Sequence, residues 1–165
     1  MDRNTIQLPR EFKEFIKLLN AEKVEYLLVG AWALAIHGCP RYTADMDLWI
    51  RPSPDNAQAI IRALRQFGFP SRPFTPEQFL DERKVFRFGL PPMQVDLILA
   101  ITGVDFASCY EQREIVELEG VPVNVIDREN FIKSKQAAGR LKDLADVEAI
   151  TRKDQGKSGL SIPAV

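Results

Sequence analysis

VGAWALAIHGCPRYTADMDLWI, residues 29–50, is the stretch whose reading decides the fold of this 165-residue chain. The apolar run Val24 to Gly30 (VEYLLVG) leads into it and reads as a buried strand, ending in the small-residue turn Gly30-Ala31. Ala31 to His37 (AWALAIH) then reads as a short apolar helix, stopped by Gly38-Cys39-Pro40. The first N–H groups of a helix have no partner within it and its dipole favours an anion. A glycine at the turn lets a phosphate approach the main chain. Ala44 to Ile50 (ADMDLWI) is a second strand, in which Asp45, Asp47 and Trp49 alternate with Met46, Leu48 and Ile50. Alternation places both aspartates on one face, so they can serve the same metal ions.

Outward from this stretch, Phe12, Phe15, Ile16 and Leu19 recur at helical spacing and predict a helix over 10–22. Pro52-Ser53-Pro54-Asp55 opens another helix, carrying Ala57, Ile60, Ile61, Leu64 and Phe67 and closing at Gly68. A Pro-rich segment spans 70–76, with a short helix at 77–80. Val85 to Phe88 and Met93 to Leu99 (MQVDLIL) read as strands, the second bearing Asp96. Phe106 to Gln112 reads as a helical turn, and Ile115 to Leu118 with Val121 to Ile126 as a hairpin around Glu119-Gly120. Asp127 caps a helix through Ala138, Gly139 divides it from a last helix over 141–151, and 154–165 reads as a flexible tail. Interleaved strands and helices predict one domain over 1–153 of the α/β (α+β) class. Its sheet is short and mixed, with flanking helices and a C-terminal helical pair.

Lys plus Arg number 22 and Asp plus Glu 23, a net charge of −1 that argues against a protein dedicated to coating DNA. Cys39 and Cys109 stand far apart without a CxxC, and His37 is the only histidine, which argues against zinc and iron–sulfur chemistry. The polar start Met1-Asp2-Arg3-Asn4 is unlike a signal peptide, and no apolar run is long enough to span a membrane. The expected compartment is the cytoplasm.

Gly30-Ala31, a gap, Asp45-Met46-Asp47-Leu48 and a later Asp96 in VDLIL together resemble the DNA polymerase β-like nucleotidyltransferase superfamily. Its signature is Gly followed by Gly or Ser, then Asp-x-Asp or Asp-x-Glu among apolar residues, then a third carboxylate from a later strand. The resemblance is closer to small bacterial abortive-infection-type (toxin–antitoxin) nucleotidyltransferase-like proteins, through Gly30, Ala33, His37, Gly38, Arg41, Thr43, Asp45 and Asp47. Lys135-Gln136-Ala137-Ala138-Gly139-Arg140, Lys142-Asp143 and Asp146 extend it to roughly residues 11–150. Ala31 departs from the pattern, removing backbone freedom or a hydroxyl donor to phosphate.

The resemblance implies a nucleotidyltransferase fold and transfer of a nucleoside monophosphate from a nucleoside triphosphate to an acceptor hydroxyl on a protein, a tRNA or a small molecule. Asp45, Asp47 and Asp96 would be the catalytic carboxylates and the ligands of Mg²⁺, with Mn²⁺ as the alternative ion. Gly30, Ala31, Arg41, Thr43, Lys135 and Arg140 would bind the nucleotide. Blander readings stand beside these. Gly30 serves equally as a plain turn glycine, Thr43 as a brace for Asp45, Lys135, Arg140 and Asp143 as solvated helix charges, and the three carboxylates as residues facing water at a sheet edge. His37 reads as a helix-end packing residue. A non-catalytic partner, such as one half of a toxin–antitoxin pair, is the second functional reading, and a metal-dependent phosphodiesterase a weaker third. The small size of the chain predicts a partner protein or a homodimer.

Overall fold

Phe12, Phe15, Ile16 and Leu19 form the buried stripe of α1 (Arg10–Ala21), as their spacing predicts. The chain then enters β1 (Tyr26–Val29), all four residues of which are buried. In the computed structural model, which describes residues 6–68 and 73–160, the remaining elements follow in the predicted order. They are α2 (Gly30–Ile36), β2 (Asp45–Ile50), α3 (Pro54–Phe67), β3 (Val85–Phe88), β4 (Gln94–Ile98), α4 (Phe106–Glu111), β5 (Glu114–Leu118), β6 (Val121–Val125), α5 (Arg128–Ala138) and α6 (Leu141–Leu160). A 3-10 turn at Pro76–Phe79 stands where the short helix is expected. Among the described residues no helix is long and apolar enough to cross a membrane.

One six-stranded sheet has the order β3-β4-β2-β1-β6-β5. Pairing alternates across it: β3 with β4, β2 with β1 and β5 with β6 are antiparallel, while β2 with β4 and β1 with β6 are parallel. The sheet is therefore mixed, and β2 and β4 lie inside it. That position excludes the sheet-edge reading of the aspartates. Met46, Leu48 and Ile50 are fully buried on one face of β2, in the same core as α1 and α3. On the other face Trp49 meets Phe106 of α4 edge-to-face, with ring centroids 5.2 Å apart.

Helix ends follow their caps. Ser53 Oγ accepts from Asn56 N at 3.4 Å and Asp127 Oδ2 from Asn130 N at 3.2 Å, while Gly68 and Gly139 end α3 and α5 in the left-handed conformation. The last helix departs from expectation. Rather than ending at Thr151 before a tail from Asp154, α6 continues to Leu160, and residues 161–165 lie outside the described ones. No proline stands between Leu141 and Pro163, and Asp154 pairs with Arg128 of α5, so neither a proline nor a lost contact stops the helix where hydrophobic periodicity fades.

A buried polar latch ties α3 to the residue before β1 and the residue after β2. Asn56, 5% exposed, accepts from Glu25 N at 2.8 Å and donates to the carbonyls of Glu25 and Arg51, each at 3.0 Å. Asn56→Ala leaves Glu25 N–H without its partner, while the Glu25 and Arg51 carbonyls keep the N–H groups of Arg51 and Ser53, and is expected to cost about 1–3 kcal/mol. Guanidinium unfolding measures the loss, and a change below about 1 kcal/mol would show that water replaces the latch.

Gly30 opens α2 at φ +67°, and a Cβ there would overlap the Asp47 carboxylate. Gly120, in the β5–β6 turn at φ +81°, has nothing within 4 Å of such a Cβ. Both Ala variants should pay the left-handed penalty of about 1–2 kcal/mol, and Gly30→Ala roughly 1–3 kcal/mol more for the overlap. Equal losses on denaturant unfolding would mean that Asp47 swings clear.

Candidate functional site

The carboxylates gather because of strand register. In the parallel pair β2–β4, Asp47 stands opposite Asp96, and Asp45 two positions earlier shares their face. Antiparallel pairing with β1 sets Val29 opposite Asp47, which brings Gly30 against the same carboxylate. Burial, then the charges of Asp96 and Asp45, push Asp47 up to about 6, against the opposing pull of Lys135 and Arg87. Neither Asp45 nor Asp47 has a side-chain hydrogen bond or ion pair to another side chain among the described residues.

Asp96 is held differently. Its two oxygens accept from Arg87 Nε at 3.0 Å and Nη2 at 3.1 Å, a bidentate pair with the residue directly across the β3–β4 ladder. The Asp96 hydrogen bonds and charge hold the exposed Arg87 guanidinium still more firmly protonated. Among the described residues no group of three Asp, Glu, His or Cys side chains is gathered closely enough to chelate an ion as the side chains stand. Asp45 and Asp47 nevertheless suit a hard divalent cation, being oxygen donors on one strand face whose charges repel and find no counter-ion in contact. Asp96 suits it only on release from Arg87.

Asp45 and Asp47 border a cleft of about 430 Å³, within the usual range for small-ligand sites. Gly30, Ala31, Arg41, Thr43, Asp45, Asp47, Lys135 and Arg140 all line it, so eight of the nine residues singled out from the sequence converge there; Asp96 stands beside Asp47 on the next strand, outside the lining. Ile98, Ile101 and Phe131 add apolar wall. Thr43 braces its neighbour: its hydroxyl donates to Asp45 O and accepts from Asp45 N, both at 3.1 Å. His37 behaves as a packing residue, its Nε2 2.9 Å from Ile126 O and its ring against Phe131.

The cations are ion-paired instead of standing as lone helix charges. Arg41 pairs with Asp146 at 3.2 Å, Lys135 with both Asp143 and Asp146 at 3.3 Å, and Arg140 with Asp143 at 2.7 Å. Burial would raise the Asp143 carboxyl, but hydrogen bonds from Arg140 and Lys135 outweigh it and hold the group below its ordinary value. Arg87 is the site residue that the sequence reading misses. Its only signal is the alternation of VFRF, with Arg87 set against Phe86 and Phe88, and that signal has meaning only once β3 is registered on β4.

Neither a family sequence model nor a curated protein sequence matches this chain. Solved structures do. A proposed nucleotidyltransferase of Thermotoga maritima aligns at TM-score 0.56 and 18% identity, over 91% of this chain and 97% of its own. The lincosamide antibiotic adenylyltransferase LnuA, solved with lincomycin bound, aligns at 0.53 and 13%, over 88% and 97%. An antigenic nucleotidyltransferase-like protein of Paracoccidioides brasiliensis aligns at 0.50 and 18%, over 84% and 72%. The chain thus carries the nucleotidyltransferase fold.

Proposed function

We propose that this protein is a divalent-metal-dependent nucleotidyltransferase, moving a nucleoside monophosphate from a nucleoside triphosphate to an acceptor hydroxyl. The observation that carries this reading is the meeting of two unpaired carboxylates, Asp45 and Asp47, with Gly30 and three cations around one cleft. Asp45 and Asp47 would hold Mg²⁺ or Mn²⁺, joined by Asp96 when Arg87 lets go. The bound ion would neutralise triphosphate charge and lower the pKa of the acceptor hydroxyl.

This chain's own groups supply the rest. Arg41, Lys135 and Arg140 line the cleft and would face the phosphates, and Gly30, bare of a side chain, leaves room beside Asp47. In the transfer, the acceptor oxygen bonds to the α-phosphorus and the α–β bridging P–O bond breaks. Pyrophosphate departs, and the hydroxyl proton passes to a carboxylate, Asp96 being the base if freed. Acceptors of three kinds stay in play: a protein, a tRNA or a small molecule. Among the structural neighbours, LnuA is named for an antibiotic.

One observation favours the second reading, a non-catalytic nucleotidyltransferase-fold partner such as a toxin–antitoxin component. Arg87 already occupies both oxygens of the third carboxylate. Substituting Arg87 separates the two. Under the enzyme reading Arg87→Gln frees a ligand and tightens Mn²⁺ several-fold, followed as loss of the free-ion signal in electron paramagnetic resonance. Unaltered Mn²⁺ affinity would take Asp96 out of the metal set and favour the binding partner.

Calorimetric titration of each nucleoside triphosphate with Mg²⁺ tests the main reading directly. Wild type should bind at least one, and Asp45→Ala/Asp47→Ala should lose at least roughly tenfold in affinity while staying folded by circular dichroism. A well-folded wild type that binds none would sink the stand-alone enzyme.

A further inference from the structure

Asp143 and Asp146 are, with 0% and 6% exposure, among the most buried carboxylates in the protein, and both sit in the first turns of α6. A buried carboxylate is costly unless paired, so their partners matter. Those partners are Arg41, Lys135 and Arg140, which come from the loop before β2, from α5 and from the α5–α6 junction. All three cations line the cleft. Lys135 bridges the two aspartates, so the five groups form one connected set. Arg140 also donates its backbone N–H to Asp143 at 3.3 Å. The two arginines remain open: the side chains of Arg41 and Arg140 are 47% and 63% exposed against 18% for Lys135, and Arg41 gives one N–H to Asp146 while its other donors stay available.

We propose that Asp143 and Asp146 are positioning residues, fixing Arg41, Lys135 and Arg140 as a preorganised set of donors for a polyphosphate chain. The inference rests on the nucleotide reading above and adds two residues that act through these cations, Asp143 at the cleft wall and Asp146 behind it. Long cationic side chains lose much rotamer freedom when they grip a ligand, and a buried carboxylate beneath each removes that cost beforehand.

The sign of one substitution separates positioning from simple charge balance. If Asp146 were only a counter-ion, Asp146→Asn would leave the cleft more positive and bind anions more tightly. If it positions Arg41 and Lys135, the same change weakens binding. The probes are inorganic tripolyphosphate and orthophosphate, titrated calorimetrically into wild type, Asp146→Asn, Arg41→Ala and the double variant, with melting temperatures alongside. Tripolyphosphate affinity should fall roughly tenfold in Asp146→Asn, and the preference over orthophosphate should shrink. The double variant should lose less than the two single losses combined, because both act through one contact.

Asp146→Glu keeps the charge and displaces it by one methylene, so it should weaken tripolyphosphate as well; it also serves if the Asn variant does not fold. Unchanged or tighter tripolyphosphate binding in the folded Asp146 variants would overturn the positioning role and leave the nucleotide reading standing. A wild type that binds no tripolyphosphate would remove both.

Discussion

Parallel pairing of β2 with β4 sets Asp47 directly beside Asp96, and much of the polar architecture answers that crowding. Like charges opposite each other on a sheet are destabilising. Here the strain shows as an Asp47 carboxyl pushed up to about 6 by burial and by its two acidic neighbours. The register is nevertheless unavoidable, because slipping β2 by one residue would turn Met46, Leu48 and Ile50 out of the core, and slipping β4 would do the same to Val95 and Leu97. Apolar burial on one face of β2 thus holds together what electrostatics on the other face would separate. Arg87, across the next ladder, neutralises one member of the group and leaves the others to whatever enters the cleft.

A second constraint runs through the loop that joins α2 to β2. Gly38, at φ +101°, turns the chain away from α2, and its carbonyl accepts from Lys153 of α6 at 2.6 Å. Three residues on, Arg41 pairs with Asp146 of the same helix. The loop that delivers Asp45 to the site is therefore clasped from outside by the C-terminal helix. Thr43 then closes on the backbone of Asp45 and sets where the strand begins. Residues more than a hundred positions apart cooperate to aim one carboxylate.

Much of this was legible in the sequence, for local reasons. Alternation in ADMDLWI placed Asp45 and Asp47 on one face, and MQVDLIL carried Asp96 in the same apolar context. Ser53, Asp127, Gly68 and Gly139 marked helix ends through their own side chains or backbone freedom. What stayed hidden depends on register between strands or on a helix folding back. The Arg87–Asp96 pair exists only because β3 meets β4 at one of several possible offsets, and alternation within a single strand does not choose among them.

The last helix shows most sharply why the remainder was illegible. Apolar periodicity would point Leu141 and Leu144 inward, yet they are 89% and 45% exposed while Asp143, Asp146 and Ile150 are buried. The buried positions lie three and four residues apart, as helical geometry requires, but the stripe is led by carboxylates instead of leucines. An ion-paired face contributes little net stability, since desolvation offsets most of the attraction. It is, however, intolerant of rotation: a turn of α6 by one residue would strand two buried charges and expose their partners, whereas a leucine stripe would slide at smaller cost. A helix that buries charge is therefore fixed in orientation more strictly than its stability suggests. The orientation it fixes is that of Arg41, Lys135 and Arg140 around the cleft beside Asp45 and Asp47.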